Sequence, residues 1–125
     1  MQSIHTTLAP AAIGPYSQAL CVGELVFVSG QIPVDPANGS IPDGVEAQAE
    51  QVFRNLAAIL RAAGTDIRNT VKTTLFIRNM ADFAAVNAVY ARHFSEPYPA
   101  RSCVEVSKLP RDVLVECEAI AAIAD

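Results

Sequence analysis

The sequence predicts an α+β fold: a mixed β-sheet with two amphipathic helices covering one of its faces. Three observations carry that expectation. Apolar residues recur at helical spacing in two windows, 45–63 and 82–94. Around those windows they alternate with polar residues or gather in β-branched runs, as strands require. The resulting order, β-β-α-β-α-β-β, contains strand–helix–strand units that imply a right-handed crossover within a sheet that also holds hairpins.

The elements follow in order. In "SQALCVGELVFVSGQIPVDPANG" (17–39), Gly23-Glu24 separates two apolar runs. A glycine at the first turn position suits a type II′ hairpin. The second run ends at Ser29-Gly30-Gln31, after which Pro33, Pro36, Asn38 and Gly39 mark a loop. From Val45 to Ala63 a stripe of Val45, Ala49, Val52, Leu56, Ile59, Leu60 and Ala63 predicts a helix, which Gly64 stops. "TVKTTLFI" (70–77) reads as a strand. Asp82 to Phe94 gives the second helix, with Phe83, Val86, Tyr90 and Phe94 on its apolar side and Pro97 and Pro99 beyond its end. Residues 101–121 read as a closing hairpin. Period two places Arg101, Cys103, Glu105 and Ser107 on one face of its first strand. Glu116 and Glu118 stand opposite Val113, Val115, Cys117 and Ala119 on its second. The hairpin is expected to gather the arginine and the glutamates on one polar face. With both helices on one side of the sheet, its other face must be wet or covered by partner chains.

With 125 residues, 51% of them hydrophobic and 18% charged, the chain is expected to form one unit, 1–125, with a proper core. The formal charge of −4 and the scattering of the nine Lys and Arg residues argue against a nucleic-acid partner. No stretch approaches the ~20 apolar residues of a membrane span, and no basic run precedes an apolar one at the N-terminus. Cys21, Cys103 and Cys117 make no CxxC pair, and His5 and His93 lie far from them. Reduced thiols in a cytoplasmic protein, without zinc, are the expectation.

Nucleophile elbows, Walker loops and dinucleotide fingerprints are missing, so an enzyme built on this chain is expected to work by positioning and electrostatics. Arg101, just after Pro99-Ala100, is the leading candidate. A guanidinium there either holds a substrate carboxylate bidentately or pairs with Glu116 or Glu118 across the hairpin. Glu116 and Glu118 are surface glutamates or, half-buried, a general base. Asn87 ties backbone or reaches a site. Cys103 is a small packed residue whose contribution to a site would come from its backbone. Tyr16, in a Gly-Pro-bounded loop, packs or lines a pocket. Ser29-Gly30 offers a hydroxyl and an open backbone at a strand end.

The ordered set "APAAIGPYSQA", "VSGQIPVDP", "VKTTLFI", "FAAVNAVYARHF", "PARSCVEVSKLP" and "VECEAIA" resembles the RidA (YjgF) family of reactive-intermediate deaminases, from Ala9 to Ile123. The resemblance implies a chorismate-mutase-like α+β fold, a homotrimer with sites in clefts between subunits, and no cofactor. It implies hydrolysis of enamine and imine intermediates, such as 2-aminoacrylate, 2-iminopropanoate and 2-iminobutanoate, to 2-keto acids and ammonia. By position, Arg101 would hold the substrate carboxylate and Glu116 would activate water. The Cys103 backbone would contact the nitrogen-bearing end, and Tyr16, Ser29, Gly30 and Asn87 would shape the cleft. One departure is the short segment "SEPY" (95–98) before "PARS", which bears on substrate size. Two rivals stand beside this reading. One is a non-catalytic trimer that binds small carboxylates or acts as a regulatory or chaperone-like partner. The other is the ribonuclease or translation-inhibitor role carried by some members, which the acidic composition disfavours.

Overall fold

In the computed structural model, which describes residues 1–123, the chain runs β1 (Gln2–Ile4), β2 (Ala19–Val22), β3 (Leu25–Gln31), α1 (Val45–Ala62), β4 (Thr70–Ile77), α2 (Phe83–His93), β5 (Ala100–Glu105) and β6 (Val115–Ala122). The last two positions of the expected 1–125 unit lie outside the described residues. The strands form one mixed sheet in the order β1-β2-β3-β6-β4-β5. β5 runs parallel to β4, and every other neighbouring pair is antiparallel.

Local chemistry explains most of the boundaries. Val22 pairs with Leu25 across a two-residue turn in which Gly23 takes φ 59° and Glu24 does not follow it into positive φ, the pattern of a II′ turn. At the end of α1, Gly64 takes φ 87°; its N–H donates to the Arg61 carbonyl, and the Thr65 N–H donates to that of Leu60. This paired closure satisfies carbonyls that the helix leaves open. The start of α1 has no such help, because Gly44 offers no side-chain cap. Its docking compensates: Val52, Phe53, Leu56, Ile59 and Leu60 are fully buried, at about 1.5–3 kcal/mol each, whereas a missing cap costs only about 1 kcal/mol.

Both helices lie on one face of the sheet, as expected. Val26, Val28, Leu75, Ile77, Val115, Cys117, Ala119 and Ala121 point into the core shared with α1 and α2. Phe53 meets Tyr90 and Phe94 edge-on, with centroids 5.5 and 5.6 Å away, which locks α1 to α2. Glu50 of α1 strengthens the same seam, accepting a 2.9 Å hydrogen bond from His93 and lying within 3.7 Å of Arg92. The His93 hydrogen bond holds its carboxyl below the ordinary carboxylate range. The opposite face of the sheet stays open, with Val22, Leu25, Phe27 and Val104 exposed on it. No helix among the described residues is long and apolar enough to cross a membrane.

Two expectations are corrected. The sequence reading had no strand at Gln2–Ile4, which pairs with β2. The closing hairpin does not exist: β5 and β6 are not neighbours, because β4 lies between them. Alternating burial along β6 (Val115, Cys117, Ala119, Ala121) suits a central position, whereas β5 is mostly exposed and takes the edge.

Candidate active site

Arg101 sits on edge strand β5 directly beside Thr73 of β4. The alternation of the strand turns Arg101 and Cys103 toward the helical side of the sheet, where α2 presents Phe83, Asn87 and Tyr90 on one face at spacings of four and three. The guanidinium carbon lies 4.7 Å from the centre of the Tyr90 ring and 5.5 Å from that of Phe83. Its Nη1 donates a 2.7 Å hydrogen bond to Asn87 Oδ1. Among the described residues Arg101 forms no ion pair. It opens instead onto a cleft of about 450 Å³ lined by Asn87, Tyr90, Ala91, Tyr98 and Pro99. A half-buried guanidinium supported by aromatic rings, with donors to spare, is a seat for a planar anion.

Glu116 belongs to a different surface. It points to the open face of the sheet, with Glu118 two residues along, while the intervening Cys117 is buried. Burial, and secondarily the charge of Glu118, push its carboxyl above the ordinary range. A β-bulge shapes its surroundings: Val28 pairs with Ala119 but Gln31 with Cys117, so β3 carries one residue more than β6 across Ser29-Gly30. Gly30 lies against the glutamate so closely that a Cβ there would overlap Oε2. Gly30→Ala is therefore expected to displace the carboxylate. If Glu116 acts on water, kcat falls about 10- to 100-fold while the melting temperature stays within a few degrees. Steady-state kinetics beside a thermal melt checks this.

The bulge also fixes the loop that precedes β2. Ser29 Oγ donates to the Ser17 carbonyl at 2.6 Å, and the Ser29 N–H donates to that of Gln18. The hydroxyl expected to face a cleft is thus engaged with backbone. Gln18, buried and absent from the sequence reading, accepts from Thr6 N–H and donates to the carbonyls of Thr6 and Pro10, tying down the start of the same loop. Tyr16 stands exposed on it, its hydroxyl accepting from the Ile13 N–H. The ring separates two hollows. One, of about 600 Å³, lies along the open sheet face by Lys72, Thr74 and Glu118. The other, of about 360 Å³, holds Gly30, Gln31 and Arg111.

The structure thus brings Arg101, Asn87 and Cys103 together on one side of the sheet, and Tyr16, Ser29, Gly30 and Glu116 on the other. The single polar face expected to hold both Arg101 and the glutamates is not formed. With β4 intervening, Arg101 lies across from Thr73 and Ala119 on the helical side, while Glu116 and Glu118 face away. The cross-hairpin ion pair is excluded with it. Cys103 is half-buried, and burial raises its thiol despite the nearby arginine, so it is not an activated nucleophile. Tyr90 and Tyr98 were not foreseen beside Arg101; the helical spacing marked Tyr90 only as a packing residue. Among the described residues no group of three metal-binding side chains gathers.

The chain is 52% identical over 123 residues to the 2-iminobutanoate/2-iminopropanoate deaminase of Salmonella typhimurium, covering 96% of each. It superposes on the crystal structure of RidA from a Psychrobacter species with a TM-score of 0.96 at 46% identity, over 98% of this chain and 100% of that one. With the structure of Escherichia coli TdcF with bound serine the TM-score is 0.94 at 46% identity, over 99% and 100%. The model of the family described as Endoribonuclease L-PSP matches residues 6–123, and so the chain belongs to that family, the YjgF/RidA family its motifs resemble.

Proposed function

We propose that this protein hydrolyses the enamine and imine forms of small 2-keto acids, at sites assembled between copies of the chain. Arg101 comes from one copy and Glu116 from another. The observation that carries the reading is the guanidinium of Arg101, without an ion pair among the described residues and held by Asn87 and two aromatic rings beside an open cleft. The relative from Salmonella typhimurium carries the corresponding name.

The geometry of one chain supports a site completed by a second copy. Two inter-strand spacings separate β5 from β6, about 10 Å, and the side chains leave on opposite faces of the sheet. A substrate whose carboxylate and reacting carbon are adjacent atoms cannot reach both groups of one chain. The open apolar face around Phe27 and Leu25 offers the surface on which copies would meet, and three copies closing as a ring satisfy each face once.

In the assembled site the free edge of Arg101 neutralises and orients the substrate carboxylate, and the backbone at Cys103 contacts the imine nitrogen. Tyr16 and Gly30 bound the cleft from the other copy. Glu116, whose proton affinity is raised by burial, takes a proton from water as the oxygen attacks the C=N carbon. Returned to nitrogen, that proton completes the tetrahedral adduct; transfer of the adduct's hydroxyl proton to nitrogen then breaks the C–N bond, so that ammonia leaves as the C=O of the 2-keto acid forms. The C=N carbon is already electrophilic, so orientation supplies most of the effect, and the step needs neither a metal nor a prosthetic group.

The test generates the enamine in place with a serine or threonine dehydratase and follows keto-acid release while semicarbazide competes for the intermediate. Acceleration is expected. Arg101→Ala and Glu116→Gln are each expected to keep only about 1% or less of wild-type activity alone, yet subunits of the two, unfolded and reassembled as a mixture, should recover roughly a quarter of the sites by random assortment. Recovery absent from a properly assembled mixture would refute a site shared between copies. The bound serine of TdcF favours one rival, a carboxylate-binding module without turnover. It predicts that Glu116→Gln keeps every function of the wild type.

A further inference from the structure

Tyr90 is buried, with 5% exposure, and its hydroxyl shares a 2.7 Å hydrogen bond with Thr73, itself fully buried. Thr73 is the residue directly paired with Arg101 across the parallel β4–β5 ladder. The phenol is thus anchored at its far end to the strand beside the arginine, while the face of its ring lies under the guanidinium at 4.7 Å. Phe94 stacks against the same ring with centroids 4.2 Å apart, and Phe53 meets it edge-on. The ring has no freedom to follow a moving side chain.

We propose that Tyr90, locked by Thr73, is the positioning residue that holds Arg101 in its carboxylate-binding rotamer; this rests on the proposed role of Arg101 in substrate binding. An arginine on an exposed edge strand samples many rotamers, and apparent affinity falls in proportion to the fraction in the competent one. Attraction between the cation and the negative face of the ring favours one rotamer before substrate arrives. The hydrogen bond to Asn87 fixes the rotation of the planar group about that rotamer. Together they leave the opposite edge of the guanidinium free for the carboxylate. In this role Tyr90 acts through Arg101 and not through bonds of its own to the substrate. Its influence should therefore appear in binding and not in the chemical step.

The experiment measures the dissociation constant of 2-oxobutanoate, a stable keto acid, by calorimetry, together with KM and kcat in the dehydratase-coupled assay. Tyr90→Leu is expected to raise both the dissociation constant and KM about tenfold and to leave kcat within about twofold. Tyr90→Phe keeps the ring between Phe53 and Phe94 but loses the Thr73 anchor, so both constants should rise by about threefold, less than for Tyr90→Leu. Because Tyr90→Leu opens the aromatic cluster and can fail to fold, phenylalanines carrying increasing numbers of fluorine atoms are also incorporated at position 90. They nearly preserve shape but drain the ring's negative face, so affinity should fall stepwise with fluorine number. Affinity independent of fluorination, or a loss confined to kcat, overturns the proposal. Arg101→Ala separates the two levels: if it binds 2-oxobutanoate as wild type does, the role of Arg101 itself is wrong. If it loses binding while the fluorinated series does not respond, only the positioning role fails.

Discussion

Arg101→Ala is expected to lower kcat/KM for enamine hydrolysis by about 100- to 20,000-fold. The figure follows from losing two charge-assisted hydrogen bonds to a carboxylate, about 1.5–3 kcal/mol each, with tenfold for every 1.4 kcal/mol. Most of the loss should fall on KM, because the carboxylate is bound before and during attack. Arg101→Lys should recover only part of it, since an ammonium can neutralise the charge but cannot present two parallel donors or lie flat on the Tyr90 ring. Stability should change little: the side chain is half-exposed and makes no ion pair among the described residues. Kinetics on both variants, with thermal melts as controls, decide the matter. A kcat/KM within fivefold of wild type for Arg101→Ala would remove the carboxylate clamp from the mechanism.

Glu116→Gln is expected to act on the other kinetic constant. A general base contributes about 100- to 10,000-fold, and because the intermediate also reacts with unassisted water the lower end applies, about 100-fold in kcat with KM little changed. The pH dependence carries a sign. Burial beside Glu118 raises the folded-state pKa of Glu116, so the base forms only above the ordinary carboxylate range. In the wild type kcat should rise with pH through that raised value, and the limb should be absent from Glu116→Gln. Stability runs the other way. A carboxyl with a raised folded pKa favours the folded state at low pH, and the contribution is lost as pH rises through the folded value. Ionised and half-buried at neutral pH, Glu116 is then a burden. Glu116→Gln should melt at the same temperature as wild type or slightly higher at pH 7, and the difference should shrink in acid. A variant that is both less active and markedly less stable would show that Glu116 serves the fold instead.

Much of this was legible in the residues, for reasons that differ by element. The α1 stripe and the Gly64 stop could be read because helical periodicity and a glycine terminus are local properties. The Gly23 turn is local too. β1 escaped notice because three residues, two of them polar and exposed, carry no periodicity. The error over β5 and β6 is of another kind. Alternation says which residues share a face of one strand and is silent about which strand lies alongside. Reading Arg101 and Glu116 as cross-strand neighbours supplied a partner the alternation did not contain. The site divides in the same way. Arg101 stood out by its chemistry, whereas Tyr90 was indistinguishable from Val86 or Phe94 until β5 was placed beside α2. Ser29 was singled out for its hydroxyl, yet the structure uses that hydroxyl to bind Ser17.

The extra residue at Ser29-Gly30 sets the phase of everything downstream in β3. Val26 and Val28 face the core, and Gln31 also faces it, three positions on instead of two. A substitution at Gly30 would perturb one carboxylate, but a deletion there would restore an even count and rotate Gln31 and its successors by half a turn about the strand. Gln31 would leave the buried side, and the run of Ile32, Pro33 and Val34 beyond it would present its apolar and backbone groups in exchanged directions. Relatives that differ from this chain in length should therefore keep the number of residues between Val28 and Gln31 and place their insertions and deletions elsewhere. The count is a stricter requirement than the identity of the residues.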